Sequence, residues 1–159
     1  MSRTDGALER RLKISQPVTD PATRALMNLD LADAHFLEDF EAATLTEGLS
    51  MSAYNVLRIL RGNPDGHPRT EIAQRMIYRR TDLTRLIDGL IRRGLVERLR
   101  GRRDRRLSVT RITPKGLKTM TRLDPLINDA VDRYRRKLSV REWDELSRLL
   151  EKLYEDRIE

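Results

Sequence analysis

The spacing of apolar residues predicts a chain built mainly from helices. Apolar side chains recur close to a helical period after Pro21, and Asp20 can cap a helix that has this proline in its first turn. The pattern predicts one long helix over 21–44, which ends before Gly48. Residues 1–20 are polar and show no such period, so we expect a flexible, irregular arm in front of the helix.

Three shorter helices are predicted next. Ser50 or Ser52 can cap the first, which stops at the Gly-Asn-Pro-Asp-Gly segment 62–66. The second covers 69–76. The third covers 80–93 and is closed by the glycine that follows it.

Two strands and two further helices complete the pattern. In residues 95–99 and 107–112, apolar and polar side chains alternate as they do in β-strands. The two segments lie on either side of a turn that is rich in arginine. A helix begins after Thr113, and Pro125 is expected to kink or interrupt it. The capping box Ser139-Val140-Arg141-Glu142 opens the last helix.

Basic charge is concentrated in the middle third of the chain. Residues 69–111 contain 14 arginines, no lysine and 5 acidic residues, a net charge of +9, whereas 1–68 carry −3 and 112–159 carry +1. A genomic preference for arginine would explain the choice of residue but not its clustering, because lysines occur elsewhere. The distribution favours a polyanion bound by the middle third.

The composition excludes several classes of site. The chain has no cysteine, which excludes disulfides, thiol redox sensing and cysteine zinc sites. No apolar run approaches the roughly 20 residues of a membrane span, and the first residues lack the apolar core of a signal peptide. We expect a cytoplasmic protein without membrane contact, metal or cofactor. No arrangement of residues indicates catalysis, so no enzyme is predicted.

The composition also indicates self-association. Apolar residues make up 38% of the chain and aromatic residues 4%, which gives a lone chain a thin core. Long amphipathic helices would complete their burial against a second copy, so a homodimer is expected.

The order of the middle elements is typical of a winged helix-turn-helix. A polar helix that starts with Arg79, Arg80, Thr81 and Asp82 precedes a two-stranded ribbon with a basic tip at 101–106. Such a helix can enter the major groove of DNA while the ribbon, or wing, reaches an adjacent minor groove.

Several short motifs between 49 and 116 occur in the order and spacing of a known family. They are Leu49-Ser50, Val56-Leu57, Leu60, Glu71-Ile72-Ala73, Leu83-Thr84-Arg85-Leu86-Ile87-Asp88, Leu90, Gly94-Leu95-Val96, Asp104-Arg105-Arg106 and Ile112-Thr113-Pro114-Lys115-Gly116. Together they resemble the MarR family of bacterial transcription regulators. The resemblance implies a mainly α fold: a winged helix-turn-helix lobe with a two-stranded β wing, and dimerisation helices at both ends.

The resemblance also implies an organisation and a function. The expected parts are a flexible arm at 1–20, a dimerisation helix at 21–48, the DNA-binding lobe at 49–116 and C-terminal dimerisation helices at 117–159. The expected function is that of a dimeric, sequence-specific regulator, most often a repressor, on a pseudo-palindromic operator in double-stranded DNA. A small lipophilic or aromatic-acid ligand would tune its affinity for DNA.

DNA contacts are expected from two groups of residues. The recognition helix offers Arg79, Arg80, Thr81, Asp82, Thr84 and Arg85, and the wing offers Arg102, Arg103, Asp104, Arg105 and Arg106. Arg80 and Arg85 are assigned to bases or phosphates. Asp82 either accepts a hydrogen bond from a cytosine or caps a shorter helix. By analogy with the family, Arg106 enters the minor groove and Asp104 orients its guanidinium.

Other residues are candidates for a ligand pocket and for the dimer interface. The pocket candidates are His35, Met51, Tyr54, Met76 and Tyr78, and the interface candidates are Leu26, Leu29, Phe36, Trp143, Leu146, Leu150 and Leu153. Core filling is the alternative for Met51 and Met76, and a surface or interface position is the alternative for His35. His67 is expected to be solvated in a Gly-Pro loop.

Three alternatives to a ligand-controlled regulator remain at this point. A constitutive DNA-binding protein would have no effector. A winged helix that docks RNA or protein would show no preference for duplex DNA, and a small enzyme would show turnover.

Overall fold

A computed structural model describes residues 6–78, 82–100 and 108–157. The described elements are, in chain order, α1 Ala7–Leu12, α2 Pro21–Leu45, α3 Met51–Arg61, β1 His67–Pro68, α4 Arg69–Arg75, α5 Leu83–Arg92, β2 Val96–Arg100, β3 Ser108–Ile112, α6 Pro114–Arg135, α7 Val140–Glu151 and a 3-10 turn Glu155–Arg157. The chain divides into two compact units, with the boundary between Glu41 and Ala42.

The N-terminal unit contains a short helix that the sequence analysis missed. Residues 1–20 were predicted to be irregular, but Ala7–Leu12 forms α1, so that prediction is wrong for this segment. Leu8 is 2% exposed, and the carboxylate of Glu9 pairs with the guanidinium of Arg24 on α2. This packing and pairing stabilise a helix that is too short to form alone.

The pairing of Glu9 with Arg24 predicts a dependence on pH. The hydrogen bond from Arg24 lowers the pKa of Glu9 from its ordinary value of 4.5 to about 2. A lowered pKa in the folded state means that the pair contributes stability above the ordinary pKa and loses it as the pH falls toward 2. We expect amide protection of α1 in hydrogen exchange to persist at pH 4 and to fall between pH 4 and 2.

The matched control for this pH dependence is Glu9→Gln, which removes the titrating carboxyl. We expect lower α1 protection in this variant at neutral pH, and a smaller loss between pH 4 and 2 than in the wild type. Equal pH profiles for the two proteins would contradict the assignment.

The long helix α2 was predicted correctly. The Asp20 carboxylate accepts a hydrogen bond from the backbone amide of Thr23 over 2.7 Å, so Asp20 caps the helix as expected. At its other end, Gly48 has φ +61°, and the amide of Leu49 donates to the carbonyl of Thr44 over 3.1 Å. This left-handed closure turns the chain from α2 toward α3.

The core of the C-terminal unit lies where α3, α4, α5 and the sheet meet. Ser50 caps α3 by accepting from the amide of Ala53 over 3.2 Å, so Ser50 rather than Ser52 is the cap. The most deeply buried side chains of this core are Leu49, Val56, Leu57, Leu60, Ile72, Ile87, Leu95 and Val96. Their packing fixes the position of α5 against the sheet.

Within the described residues, the sheet has three strands in the order β1-β3-β2, and both pairings are antiparallel. The prediction of a two-stranded wing is therefore incomplete, because His67–Pro68 pairs with β3, where His67 lies opposite Thr110. Gly66 makes this pairing possible. It has φ +80°, and a Cβ at this position would lie 2.5 Å from the carbonyl oxygen of Thr110.

His67 is buried rather than solvated, so that prediction is also wrong. It is 5% exposed, and its Nδ1 lies 2.7 Å from Oε2 of Glu71 on α4. Strand pairing of β1 places the ring inside the lobe, and Glu71 satisfies its polar edge.

The two C-terminal helices begin where the sequence predicts. Thr113 caps α6 by accepting from the amide of Gly116 over 3.1 Å, and both halves of the capping box at Ser139 and Glu142 are present before α7. Of the two effects predicted for Pro125, the interruption is wrong, because α6 continues through it to Arg135, and the kink stays a prediction. Leu123 and Ile127, which flank this proline, are buried and hold the helix on both sides of it. None of the described helices is long and apolar enough to cross a membrane.

Candidate nucleic-acid interface

The recognition helix is shorter than predicted. Asp82 caps it, because its carboxylate accepts a hydrogen bond from the backbone amide of Arg85 over 3.1 Å. The helix therefore begins at Leu83 instead of residue 80, and of the two roles considered for Asp82 the structure supports the cap. Arg79, Arg80 and Thr81 lie outside the described residues.

One face of α5 is buried and the opposite face is exposed. Ile87 and Leu90 are 1% and 2% exposed and pack into the lobe. Thr84 and Arg85 lie on the other side. The Arg85 side chain is 87% exposed, and its Nε lies 3.8 Å from the Asp82 carboxylate, which holds it only loosely. The helix therefore presents an exposed guanidinium near its N-terminal end.

Thr84 is already engaged within the protein. Its hydroxyl oxygen accepts a hydrogen bond from Nη1 of Arg69, at the start of α4, over 2.7 Å. Beside this pair, a cleft of about 380 Å³ lies between α5 and the sheet, lined also by Asp88, Arg98 and Ser108. Thr84 and Arg69 therefore form one hydrogen-bonding group on the outer surface of the lobe.

In the described part of the wing strands, two ion pairs orient the arginines. Arg98 on β2 donates from Nη2 to the Asp88 carboxylate of α5 over 3.0 Å. Arg111 on β3 donates from Nε and Nη2 to Oε1 of Glu97 on β2, over 3.0 and 2.7 Å. The first pair joins the recognition helix to the wing, and the second joins the two strands. The predicted wing-tip contacts Arg102, Arg103, Asp104, Arg105 and Arg106 lie outside the described residues.

Arg69 and Arg98 are candidate interface residues that the sequence pattern did not single out. Both belong to the arginine-rich segment 69–111, so the charge clustering included them without assigning a role. Their partners on α5 are 15 and 10 residues away in sequence. Only the tertiary packing of α5 against α4 and β2 brings these groups together.

A buried asparagine sets the turn before the recognition helix. Asn55 on α3 is 3% exposed, and its Oδ1 accepts a hydrogen bond from the backbone amide of Ile77 over 3.1 Å. This bond satisfies a backbone donor in the segment between α4 and α5, where an unpaired buried group would be costly. Ile77 itself is 68% exposed.

The predicted ligand residues are distributed over both units. His35 belongs to the N-terminal unit, where it is exposed and lies 3.4 Å from Glu38. Tyr54 and Met76 are buried in the C-terminal unit, and burial raises the pKa of Tyr54. Met51 and Tyr78 are half-buried. An open groove of about 640 Å³ in this unit is lined by other residues, from Gly48 and Ser50 across to Arg85 and Arg93.

The predicted interface residues leave apolar surface uncovered within one chain. Leu26, Leu146 and Leu153 are 56%, 37% and 56% exposed, and no described residue of α7 is buried. Trp143 is half-buried, and its Nε1 donates to the carbonyl of Arg135 over 3.2 Å. Among the described residues, no group of three or more histidine, aspartate or glutamate side chains could hold a metal ion.

Comparisons with known proteins point to one family. A sequence profile of the MarR family matches residues 47–107. A MarR transcription factor from Planctomyces limnophilus is 32% identical, with a TM-score of 0.64 over 85% of this chain and 98% of that chain. A protein of Thauera aromatica assigned to regulation of the hcr operon is 27% identical over 76% of this chain and 72% of its own length.

The repressor CouR is similar in two solved structures. Bound to a 23-mer DNA duplex, it is 28% identical, with a TM-score of 0.74 over 88% of this chain and 99% of that chain. CouR from Rhodococcus jostii RHA1 bound to p-coumaroyl-CoA is 22% identical, with a TM-score of 0.75 over 87% of this chain and 95% of that chain. At that lower identity the likeness shows the fold.

Proposed function

The chain belongs to the MarR family of transcriptional regulators, and from this premise we propose that it is a dimeric repressor that binds a pseudo-palindromic operator in double-stranded DNA. One observation carries the proposal. The helix α5 is capped at Asp82, packed into the lobe through Ile87 and Leu90, and presents an 87% exposed Arg85 side chain on its outer face. CouR, which shares the fold, was solved on a DNA duplex.

The position of the charge supports DNA as the partner. Residues 69–111, the segment that contains α5 and the wing strands, carry a net charge of +9. The rest of the chain carries a net charge of −2. Arginine is suited to phosphates and to guanine edges because its planar fork donates two parallel hydrogen bonds. In this proposal α5 enters the major groove, and Arg106 at the wing reaches the minor groove with Asp104 beside it.

In vitro selection from random duplexes about three helical turns long tests this function. At near-physiological salt we expect enrichment of an inverted repeat of about 16–20 base pairs, with half-sites about one turn apart. Enrichment of no sequence, with binding that disappears as salt rises, would contradict it and indicate attraction to phosphates alone. Binding of single-stranded RNA in preference to duplex DNA would favour the docking alternative.

The dimer interface in this proposal includes the apolar side of α7. We expect Trp143→Ala to weaken dimerisation by about tenfold or more, because a large aromatic side chain at the centre of an interface carries much of its binding energy. Sedimentation over a range of protomer concentrations measures the change.

Trp143→Phe is the matched control for dimerisation. It keeps an aromatic ring but removes the Nε1 donor that bonds Arg135 within the same chain. If apolar contact with the partner subunit contributes more to dimerisation than the Nε1 hydrogen bond does, the phenylalanine variant should dimerise nearly as well as the wild type. Equal losses in both variants would assign the effect to the turn between α6 and α7.

A ligand is proposed as the signal that lowers DNA affinity. CouR from Rhodococcus jostii RHA1 was solved with p-coumaroyl-CoA bound, and four of the five ligand residues predicted for this chain, Met51, Tyr54, Met76 and Tyr78, belong to the C-terminal unit. A ligand that prefers a lobe spacing unsuited to the operator would shift the population away from the DNA-binding form. Titrating aromatic acids and their CoA thioesters against the selected operator tests this. If none changes affinity, a constitutive DNA-binding protein is the better description.

In this proposal the protein acts in the cytoplasm by binding DNA and not by catalysing a reaction. Its regulatory effect then follows from occupancy of the operator, which blocks access of RNA polymerase. No step of this proposal requires a metal or cofactor.

A further inference from the structure

A group of charged side chains joins three segments at the C-terminal end of α5. We call Glu47, Arg93, Lys115 and Arg122 the α5 clamp. Arg93 directly follows α5 and donates from Nη1 to the carbonyl of Gly48 and from Nη2 to the carbonyl of Glu47, each over 2.6 Å. One guanidinium thus holds two successive carbonyls of the segment that follows α2.

The helix α6 completes the clamp from the other side. The Glu47 carboxylate accepts from Nε and Nη2 of Arg122 over 2.6 and 2.8 Å. Lys115 in the first turn of α6 donates from Nζ to the carbonyl of Arg93 over 2.7 Å. The end of α5, the segment after α2 and two turns of α6 are therefore cross-linked by charge-assisted hydrogen bonds.

The groups that Arg93 holds are themselves fixed. Gly48 closes α2 in the left-handed region, and its amide donates to the carbonyl of Leu45 over 2.8 Å. Leu49, directly after it, is fully buried. The hydrogen bonds from Arg122, with a further contribution from the charge of Arg93, lower the pKa of Glu47.

We propose that Arg93 is a positioning residue that fixes the direction of α5 relative to α6, and thereby sets the half-site spacing that the dimer accepts. The inference rests on the proposed function, in which α5 reads DNA and the helices at 117–159 form the dimer. Because α6 runs from the lobe into that dimer, a change of angle at its first turns would displace the recognition helix. One added base pair rotates a half-site by roughly 34° and moves it about 3.4 Å.

Operators with altered spacing test the proposal directly. The selected operator is lengthened or shortened between its half-sites by one and two base pairs, and affinities are measured for three proteins. We expect the wild type to prefer its own spacing by about tenfold over the one-base-pair changes. Arg93→Gln should reduce that preference to about threefold or less. The control Arg92→Gln removes the same charge from the neighbouring residue and should keep the wild-type preference.

A second measurement reports on the lobes without DNA. The chain has no cysteine, so Gln74→Cys on the exposed side of α4 gives each protomer one site for a spin label. We expect a narrow distribution of label-to-label distances in the wild-type dimer and a broader one when Arg93→Gln is added. Arg92→Gln should leave the distribution narrow.

The outcomes separate the clamp from the proposed function. A wild type with a sharp spacing preference that Arg93→Gln leaves unchanged overturns the role of Arg93 alone. Equal losses of affinity at every spacing in both arginine variants overturn it as well, because they indicate only a lost phosphate attraction. A wild type that binds all spacings equally overturns this inference alone, because the inverted repeat recovered in the selection tests the proposed function separately.

Discussion

Gly116→Ala is expected to destabilise the C-terminal unit by about 3 kcal/mol, since a side chain here would enter a packed backbone junction. A Cβ on Gly116 would lie 2.2 Å from the carbonyl oxygen of Leu95 and 2.7 Å from Cγ1 of Ile112. The carbonyl of Leu95 cannot move away easily, because it accepts hydrogen bonds from both the amide and the hydroxyl of Thr113, over 3.0 and 3.1 Å. The first turn of α6 would have to separate from the sheet.

Urea unfolding followed by circular dichroism, at one protomer concentration, measures this loss. Gly89→Ala in α5 is the matched control, because the nearest atom to its added Cβ is Nη2 of Arg92 at 3.8 Å. Alanine inside a helix is favoured over glycine, so the control should gain about 0.5–1 kcal/mol. Equal midpoints for Gly116→Ala and the wild type would show that α6 and the sheet adjust without cost.

Arg85→Ala is expected to weaken operator binding by about 5- to 150-fold without unfolding the protein, because this residue offers a largely exposed guanidinium on the outer face of α5. Its side chain is 87% exposed, so its removal leaves the core unchanged. This loss of affinity corresponds to about 1–3 kcal/mol, the size expected for one arginine contact with a base. The salt dependence of the affinity distinguishes a contact with a base from a contact with a phosphate.

Fluorescence anisotropy on the selected operator, at several salt concentrations, measures the effect of Arg85→Ala. Loss of discrimination at one base-pair position would assign Arg85 to a base edge, and a uniform loss with a shallower salt dependence would assign it to a phosphate. Arg141→Ala is the control, because Arg141 is exposed on α7 and its loss changes the net charge equally. Equal effects of both substitutions would contradict a contact by Arg85.

Most helix boundaries could be predicted because their signals are local. Ser50, Thr113 and Ser139 each accept a hydrogen bond from an amide three residues away, so the sequence contains both partners within one turn. The exception is α5, which was predicted to begin at residue 80, with a cap at Asp82 as one of two roles left open for that residue. The hydrogen bond that the Asp82 carboxylate accepts from the amide of Arg85 fixes its start at Leu83.

The sequence by itself thus determined three features: the arginine-rich middle third, the helical periodicity and the family motifs. Each of them is a property of residues that are close together in the sequence. The tertiary structure alone decided that His67 is buried in a third strand opposite Thr110, 43 residues further along. It also decided that Arg69 reaches Thr84 and that Arg93 holds the carbonyl of Gly48, 45 residues earlier. These contacts depend on how helices and strands pack, and packing is set by the whole core rather than by any local pattern.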